Sequence, residues 1–390
     1  MDRKKIAYLV LSIPSARNTT RYQRIKSLSE TFELYLFTNN DFLPDEFRNK
    51  VNFCVNPFKN FPGNSYLFIL WAIWQLIKKR KEIDLIMTSF NPSTLIPGII
   101  LKKFLNIKWV ADIYDMPNLQ TETLSGRGLV KTIKSMLLKF QYFIVKKILK
   151  NANLVFCTLH PDALSEYDIP KNKVIKLTNG VDLTLVENFF KIQISNKEKE
   201  KFFRILYVGF VLKIRGIDII IKAANLLKEK YPLMKWELIG PSNKYDVQWF
   251  KEKVKRNNLE KTVIWYGEKK HEEVLKHIAK ADICLFTFPK TFATGYIYPI
   301  KIFEYMAFGK AIIATKLKGV SSILKDKKHA LLIEPDNYIQ LAQAVETLYK
   351  DPDLKRLLGR NAKKEVYKYD WTNINHKIIN KLNSLIGGSK

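Results

Sequence analysis

Cysteine is scarce. Only Cys54, Cys157 and Cys284 occur in 390 residues, far apart and in apolar surroundings. That number excludes a disulfide framework and reads as small buried hydrophobes in a reducing compartment. The five histidines lack metal-ligand spacing, so no metal is expected. No apolar run reaches the roughly 18–20 residues that a spanning helix needs. Low-complexity tracts are absent. The N-terminus passes from Met-Asp-Arg-Lys-Lys straight into an apolar strand, with no signal-peptide core or cleavage site. The expected location is the cytoplasm, with the inner face of the cell membrane as a surface on which the chain can rest.

Acidic residues are also few. Against 66 lysines and arginines stand 37 aspartates and glutamates, a net charge of +29 spread over both halves of the chain. Such a field favours anionic partners: nucleoside diphosphates, anionic lipid headgroups or nucleic acid. A basic nucleic-acid-binding protein is therefore one reading. It has no recognisable reader motif and no concentrated basic stripe to support it, and nucleic acid is not expected as a partner. The length suits two ordinary domains, and 47% hydrophobic with 26% charged residues is a globular composition.

The first half alternates strand and helix. Ile6 to Ile13 reads as a buried strand, Thr19 or Thr20 as the cap of a helix to about Glu30, and Phe32 to Thr38 as a returning strand. That βαβ start implies a parallel sheet with right-handed crossovers. Its first loop has no Gly-x-Gly-x-x-Gly. Arg17, Arg21 and Arg24 stand there instead, either as a solvated helix face or as an anion clamp. Tyr66 to Ile77, closed by Lys78-Lys79-Arg80-Lys81, reads as a core helix with a basic end. Trp109 to Ile113 is a strand running into Asp112-Ile113-Tyr114-Asp115, which puts two acids where parallel sheets meet ligands. No acid lies between Glu122 and Asp162. The lysines and Arg127 of residues 127–150 interleave with apolar side chains, as in an amphipathic helix that rests on an anionic membrane surface or packs on a core.

Residues 191–201 are polar and unpatterned and read as a linker between domains 1–190 and 200–371. The β/α rhythm then restarts. Arg204 to Val208 is a strand leading into Gly209-Phe210-Val211-Leu212-Lys213-Ile214-Arg215-Gly216, a loop that opens a helix. Strand, glycine loop and helix N-terminus together make an anion site from backbone N–H groups and the helix dipole. The most informative stretch is Tyr298 to Thr315. It reads as a helix begun by Pro299 and stopped by Gly309, then a buried strand. Lys301, Glu304, Tyr305 and Phe308 share one helical face. They read either as a solvated ion pair beside core aromatics or as a carboxylate accepting from a vicinal diol, with Lys301 facing a phosphate.

Pro-x-Lys-x-Phe-Glu-Tyr-Met-Ala-x-Gly-Lys followed by an apolar strand and Thr resembles the retaining glycosyltransferases of group 1, the GT4 family. Asn179-Gly180-Val181-Asp182 resembles another segment of that family. The resemblance implies the GT-B fold: α/β, two Rossmann-like doubly wound domains facing across a cleft, with a last helix of about 372–390 crossing back to the first. It implies that residues 1–190 take the acceptor and residues 200–371 the nucleotide sugar. The reaction implied moves a sugar, with retention, from a uridine- or guanosine-diphosphate donor to a saccharide or polyprenyl-diphosphate-linked acceptor in cell-surface polysaccharide synthesis. Carried onto this chain, Asp112 and Asp115 become candidates for acceptor or donor-sugar contact. Arg215 and Lys301 stabilise the departing diphosphate. Gly209, Lys213, Arg215, Gly216, Gly267, Thr294, Gly295, Lys301 and Glu304 hold the donor, with Glu304 on the ribose. Two positions depart from the family pattern. Phe210 replaces an arginine, for which Lys213 is the nearest compensation, and Tyr296 stands where the family often has glutamate. A catalytically inactive scaffold on the same fold is therefore the alternative within the family.

Overall fold

The computed structural model describes residues 3–14, 18–61, 64–114, 132, 136, 140, 143–192 and 202–387. Arg17, Asp115, the greater part of 127–142 and the expected linker from 193 onward lie outside the described residues. The chain forms two compact units, Met1–Thr178 with Trp371–Lys390, and Asn179–Asp370.

The first unit contains β1 (Lys5–Leu9), α1 (Thr20–Thr31), β2 (Glu33–Thr38), β3 (Val51–Val55), α2 (Asn64–Lys78), β4 (Leu85–Ser89), α3 (Pro92–Leu105), β5 (Lys108–Ile113), β6 (Leu154–Cys157) and β7 (Val174–Lys176). Its sheet runs β3-β2-β1-β4-β5-β6-β7 and every pair is parallel. The central strands β1, β4 and β5 are almost wholly buried, as a parallel sheet covered on both faces requires, while the edge strands β3 and β7 are partly exposed. Chain order reverses direction between β1 and β4, where ligands of such sheets bind. The helix Trp371–Gly387 belongs to this unit. It lays Trp371, Ile374, Ile378 and Leu382 into the core that holds Tyr22, Ile25 and Leu28 of α1.

The second unit contains α4 (Leu183–Ile192), β8 (Phe203–Val208), α5 (Ile217–Leu227), β9 (Met234–Ile239), α6 (Lys244–Arg256), β10 (Val263–Trp265), α7 (His271–Lys280), β11 (Ile283–Phe286), α8 (Phe292–Gly295), α9 (Ile300–Ala307), β12 (Ala311–Thr315), α10 (Lys318–Ile323), β13 (Leu331–Ile333), α11 (Tyr338–Lys350) and α12 (Pro352–Val366). Its sheet, order β10-β9-β8-β11-β12-β13, is also parallel and reverses between β8 and β11.

The division falls earlier than the expected 190/200 boundary, for a packing reason. The apolar face of α4 carries Val186 into the second core, and Phe189 and Phe190 stack on Phe308 at 5.3 and 5.1 Å. Asn179 Nδ2 donates to the Tyr298 carbonyl at 2.6 Å, and Val181 bridges to Asp370. The polar stretch 191–201 thus begins within the last turn of a helix already seated on the second unit.

Candidate functional site

The site in the second unit is built at the β8/β11 reversal. After β8 the chain turns through Gly209 to a short 3₁₀ turn, Lys213–Arg215, and Gly216 then caps α5. Gly216 has φ +78, and a Cβ there would lie 1.8 Å from the Thr287 carbonyl oxygen just beyond β11. Glycine therefore lets the loop close onto the neighbouring strand end. This fixes Arg215, half-buried, with its guanidinium 4.6 Å above the Phe288 ring. Among the described residues no carboxylate pairs with Arg215, and its buried Nε has no hydrogen-bond partner. Lys213 is exposed beside it, its backbone N–H bonded to Asp246 at 2.8 Å.

Helix α9 supplies the opposing chemistry. Pro299 stands as its N-cap, so the helix begins at Ile300, one residue later than expected; the proline's φ of -68 and lack of N–H suit a helix opening. The stop is a Schellman motif. Gly309, at φ +64, donates its N–H to the Met306 carbonyl at 2.9 Å, and Lys310 donates to Tyr305 at 3.0 Å. Between these ends Glu304 is turned inward and only 2% exposed. Its Oε2 accepts from Lys301 Nζ at 2.7 Å, and its Oε1 lies 2.9 Å from His271 Nε2 at the start of α7. Burial alone would raise the Glu304 pKa. The Lys301 ammonium and the His271 hydrogen bond outweigh it and hold the carboxyl at about 2. The next residue, Tyr305, accepts the Val208 N–H at its hydroxyl at 3.1 Å, which pins α9 to the end of β8, one residue before the glycine loop. Arg215 is thus held by contacts just beyond β11, and the helix that carries Lys301 and Glu304 is held by the Tyr305 contact at the end of β8.

The other candidates of this unit are placed as follows. Gly267, at φ +72, accepts the Gly240 N–H at 2.9 Å, and open space lies where a side chain would project. Thr294 and Gly295 are the last two residues of α8. The Thr294 hydroxyl is engaged in a capping box with Thr291 and donates to the Pro289 carbonyl at 2.5 Å. Phe210 is an exposed side chain whose carbonyl accepts from Tyr207 Oη at 3.1 Å. Tyr296 is half-buried between the Phe292 ring at 5.5 Å and Lys318.

Asp112 in the first unit corrects an expectation. It was to meet a ligand at the strand end, but its side chain is fully buried. Arg24 grips it bidentately, Nε to Oδ2 at 2.9 Å and Nη2 to Oδ1 at 3.2 Å, and Tyr8 donates to Oδ2 at 3.0 Å. The register explains this. Asp112 pairs with Ser89 and Phe156 inside the sheet, so its side chain points into the layer of α1, where Arg24 waits. Arg24 is accordingly not part of an anion clamp. Arg21 donates to Tyr114 Oη at 2.7 Å and to the Ser12 carbonyl at 2.6 Å. Tyr66–Ile77 departs from the sequence reading too, since one face of α2 is exposed. His271 carries no sequence signal of a role at this site. Its contact with Glu304 lies 33 residues away and has no signal in local spacing.

Among the described residues no group of three or more His, Cys, Asp or Glu could hold a metal, and no helix is long and apolar enough to cross a membrane.

Two parallel-sheet Rossmann-like units with this loop-and-helix site define the GT-B class of α/β proteins. Residues 188–365 match the family described as glycosyl transferases group 1. An uncharacterized glycosyltransferase of Methanocaldococcus jannaschii, MJ1178, is 26% identical over 347 residues, covering 89% of this chain and 88% of its own. The capsular polysaccharide biosynthesis glycosyltransferase CapM of Staphylococcus aureus is 23% identical over 392 residues, covering 94% and 93%. Among solved structures, Anabaena HepE in complex with UDP superposes with a TM-score of 0.72 at 17% identity, over 97% of this chain and 100% of that one. Residues 188–365 are thus similar to group 1 glycosyltransferases, and the chain is a glycosyltransferase of the GT-B fold, EC 2.4.

Proposed function

We propose that the chain transfers a glycosyl group, with retention at the anomeric carbon, from a nucleoside diphosphate sugar to a saccharide or lipid-linked saccharide in cell-surface polysaccharide synthesis. The observation that carries this reading is Arg215: a half-buried guanidinium with no carboxylate partner among the described residues, at the N-terminal end of a helix. A diphosphate is the group such a place accepts. In this reading the second unit holds the donor and the first the acceptor. Arg215, Lys213 and the first N–H groups of α5 take the diphosphate. Glu304 accepts from ribose hydroxyls at the same carboxylate oxygens that Lys301 and His271 orient. Gly267 opens the space for the base, and the backbone around Thr294 and Gly295 faces the sugar. Lys301 stands 2.7 Å from Glu304, near enough to turn toward phosphate once hydroxyls reach the carboxylate.

Positive groups fixed before reaction stabilise the charge that grows on the departing diphosphate, and this is the main rate term the site can supply. No side chain is assigned as a nucleophile, which favours attack by the acceptor on the face the diphosphate leaves. The uridine diphosphate bound by HepE and the capsular role named for CapM support a donor and an acceptor of these kinds. A thermal-shift screen with uridine, guanosine and cytidine diphosphates and their sugars tests the donor. One base series is expected to raise the melting temperature of the wild type and to fail with Arg215→Gln. Proton NMR of the product then reads the anomeric configuration, and inversion would refute retention. No shift with any nucleotide, together with salt-dependent DNA binding, would favour the basic nucleic-acid-binding alternative. Nucleotide binding without turnover would favour an inactive scaffold.

A further inference from the structure

One surface of the first unit has no role in sugar transfer. Helix α2 buries Phe68, Trp71, Ala72 and Leu76, but its other face leaves Tyr66 and Leu70 each 67% exposed, Trp74 52% and Ile77 41%. Their spacing of 4, 4 and 3 residues makes one continuous stripe. Contiguous exposed apolar side chains of this size mark an interaction surface.

The charges around the stripe say what covers it. Its end carries Lys78-Lys79-Arg80-Lys81. None of these four pairs with a carboxylate among the described residues. The next acid, Glu82, lies 4.0 Å from Lys5. Lys78 Nζ sits 3.3 Å above the Trp74 ring, so the cation and the aromatic form one amphipathic edge. The neighbouring helix extends this surface. Chain direction from β3 to β4 and from β4 to β5 is the same across the sheet, so right-handed crossovers place α2 and α3 on one face. They pack together with both C-terminal ends at the same end of the layer. There α3 presents Phe104, 80% exposed, beside Lys103.

We infer that the outer stripe of α2, with the basic cluster 78–81 and the end of α3, docks the protein on an anionic lipid bilayer. Tyr and Trp enter the headgroup layer, Leu70 and Ile77 reach the acyl boundary, and the unpaired cations meet lipid phosphates. This surface differs from the 127–150 segment, most of which lies outside the described residues, and it does not depend on the donor chemistry.

The test is sedimentation of the full chain with vesicles of phosphatidylcholine alone or with about one-third phosphatidylglycerol, a proportion chosen to supply the surface charge that polybasic segments sense. The wild type is expected to bind the anionic vesicles and to release them as salt is raised. Lys78→Gln with Lys81→Gln is expected to weaken binding about 25-fold, at about fivefold for each cation near the surface. Leu70→Ser with Trp74→Ser is expected to weaken it at least about tenfold through lost apolar burial. All four positions are exposed, so both variants are expected to keep the wild-type melting temperature. Quenching by brominated phosphatidylglycerol is expected to fall in Trp74→Phe, which places that ring in the bilayer. The inference is overturned if the wild type ignores anionic vesicles or if either double variant binds them like the wild type. It is equally overturned if sedimentation velocity shows self-association that the Leu70/Trp74 variant abolishes, which would give the face to a second copy.

Discussion

The two sheets reverse direction in the same way, yet their charges at the reversal have opposite fates. In the first unit Arg24 and Asp112 are both fully buried and grip one another, with Tyr8 completing the cluster. Each charge has its counter-charge within the fold, although Arg24 keeps a buried Nη1 without a hydrogen-bond partner. In the second unit Glu304 is also buried and paired, but Arg215 stacks on Phe288 and has no carboxylate partner among the described residues. A sheet edge offers only a location. A ligand site needs a charge that the fold itself leaves unneutralised, together with a backbone that can approach. Gly216 provides that approach.

The largest expected effect follows from breaking the closed pair. Asp112→Ala leaves Arg24 buried without its counter-ion, at a cost of about 3–5 kcal/mol. Denaturant unfolding should show this loss, and Arg24→Met with Asp112→Leu should recover part of it. Next is Gly216→Ala, which sets a side chain at φ +78 against the Thr287 carbonyl. The backbone term alone costs about 1–3 kcal/mol. Because the strain displaces the Arg215 loop, nucleotide affinity should fall along with the melting temperature. Smaller is the acid response of Glu304. Its folded pKa of about 2 lies below its unfolded value, so its stabilisation is present above roughly pH 4.3 and is lost as pH falls toward 2. Thermal melts should therefore show the advantage of the wild type over Glu304→Gln narrowing across that window. The smallest effect belongs to Lys213→Gln. This exposed charge should leave the melting temperature unchanged, and calorimetry should find diphosphate binding only a few-fold weaker.

Much of the second unit could be read before any coordinates. The stop at Gly309, the buried strand after it and the shared face of Lys301 and Glu304 all follow from helical spacing and from backbone needs that one residue type meets. Such local rules reach only a few residues. The His271 contact with Glu304, the Phe288 ring under Arg215 and the Tyr305 link to β8 join elements distant in sequence, and only the parallel register brings them together. The same limit explains Asp112. An acid at a strand end looks identical in sequence whether it faces solvent or a buried arginine from the preceding helix. The helix over 64–78 was misread for a related reason. An almost wholly apolar segment does not reveal which of its faces the fold leaves uncovered, and Tyr66, Leu70 and Trp74 were assigned to the core by composition alone.

The central claim is that Arg215, which has no carboxylate partner among the described residues, receives a nucleoside diphosphate. Titration calorimetry of the wild type and Arg215→Gln with uridine, guanosine and cytidine diphosphates tests it directly. The expected result is that the wild type binds at least one of them and that Arg215→Gln binds the same one roughly ten- to a hundredfold more weakly, the range for a lost charged hydrogen bond. Equal affinity in the two proteins would contradict it.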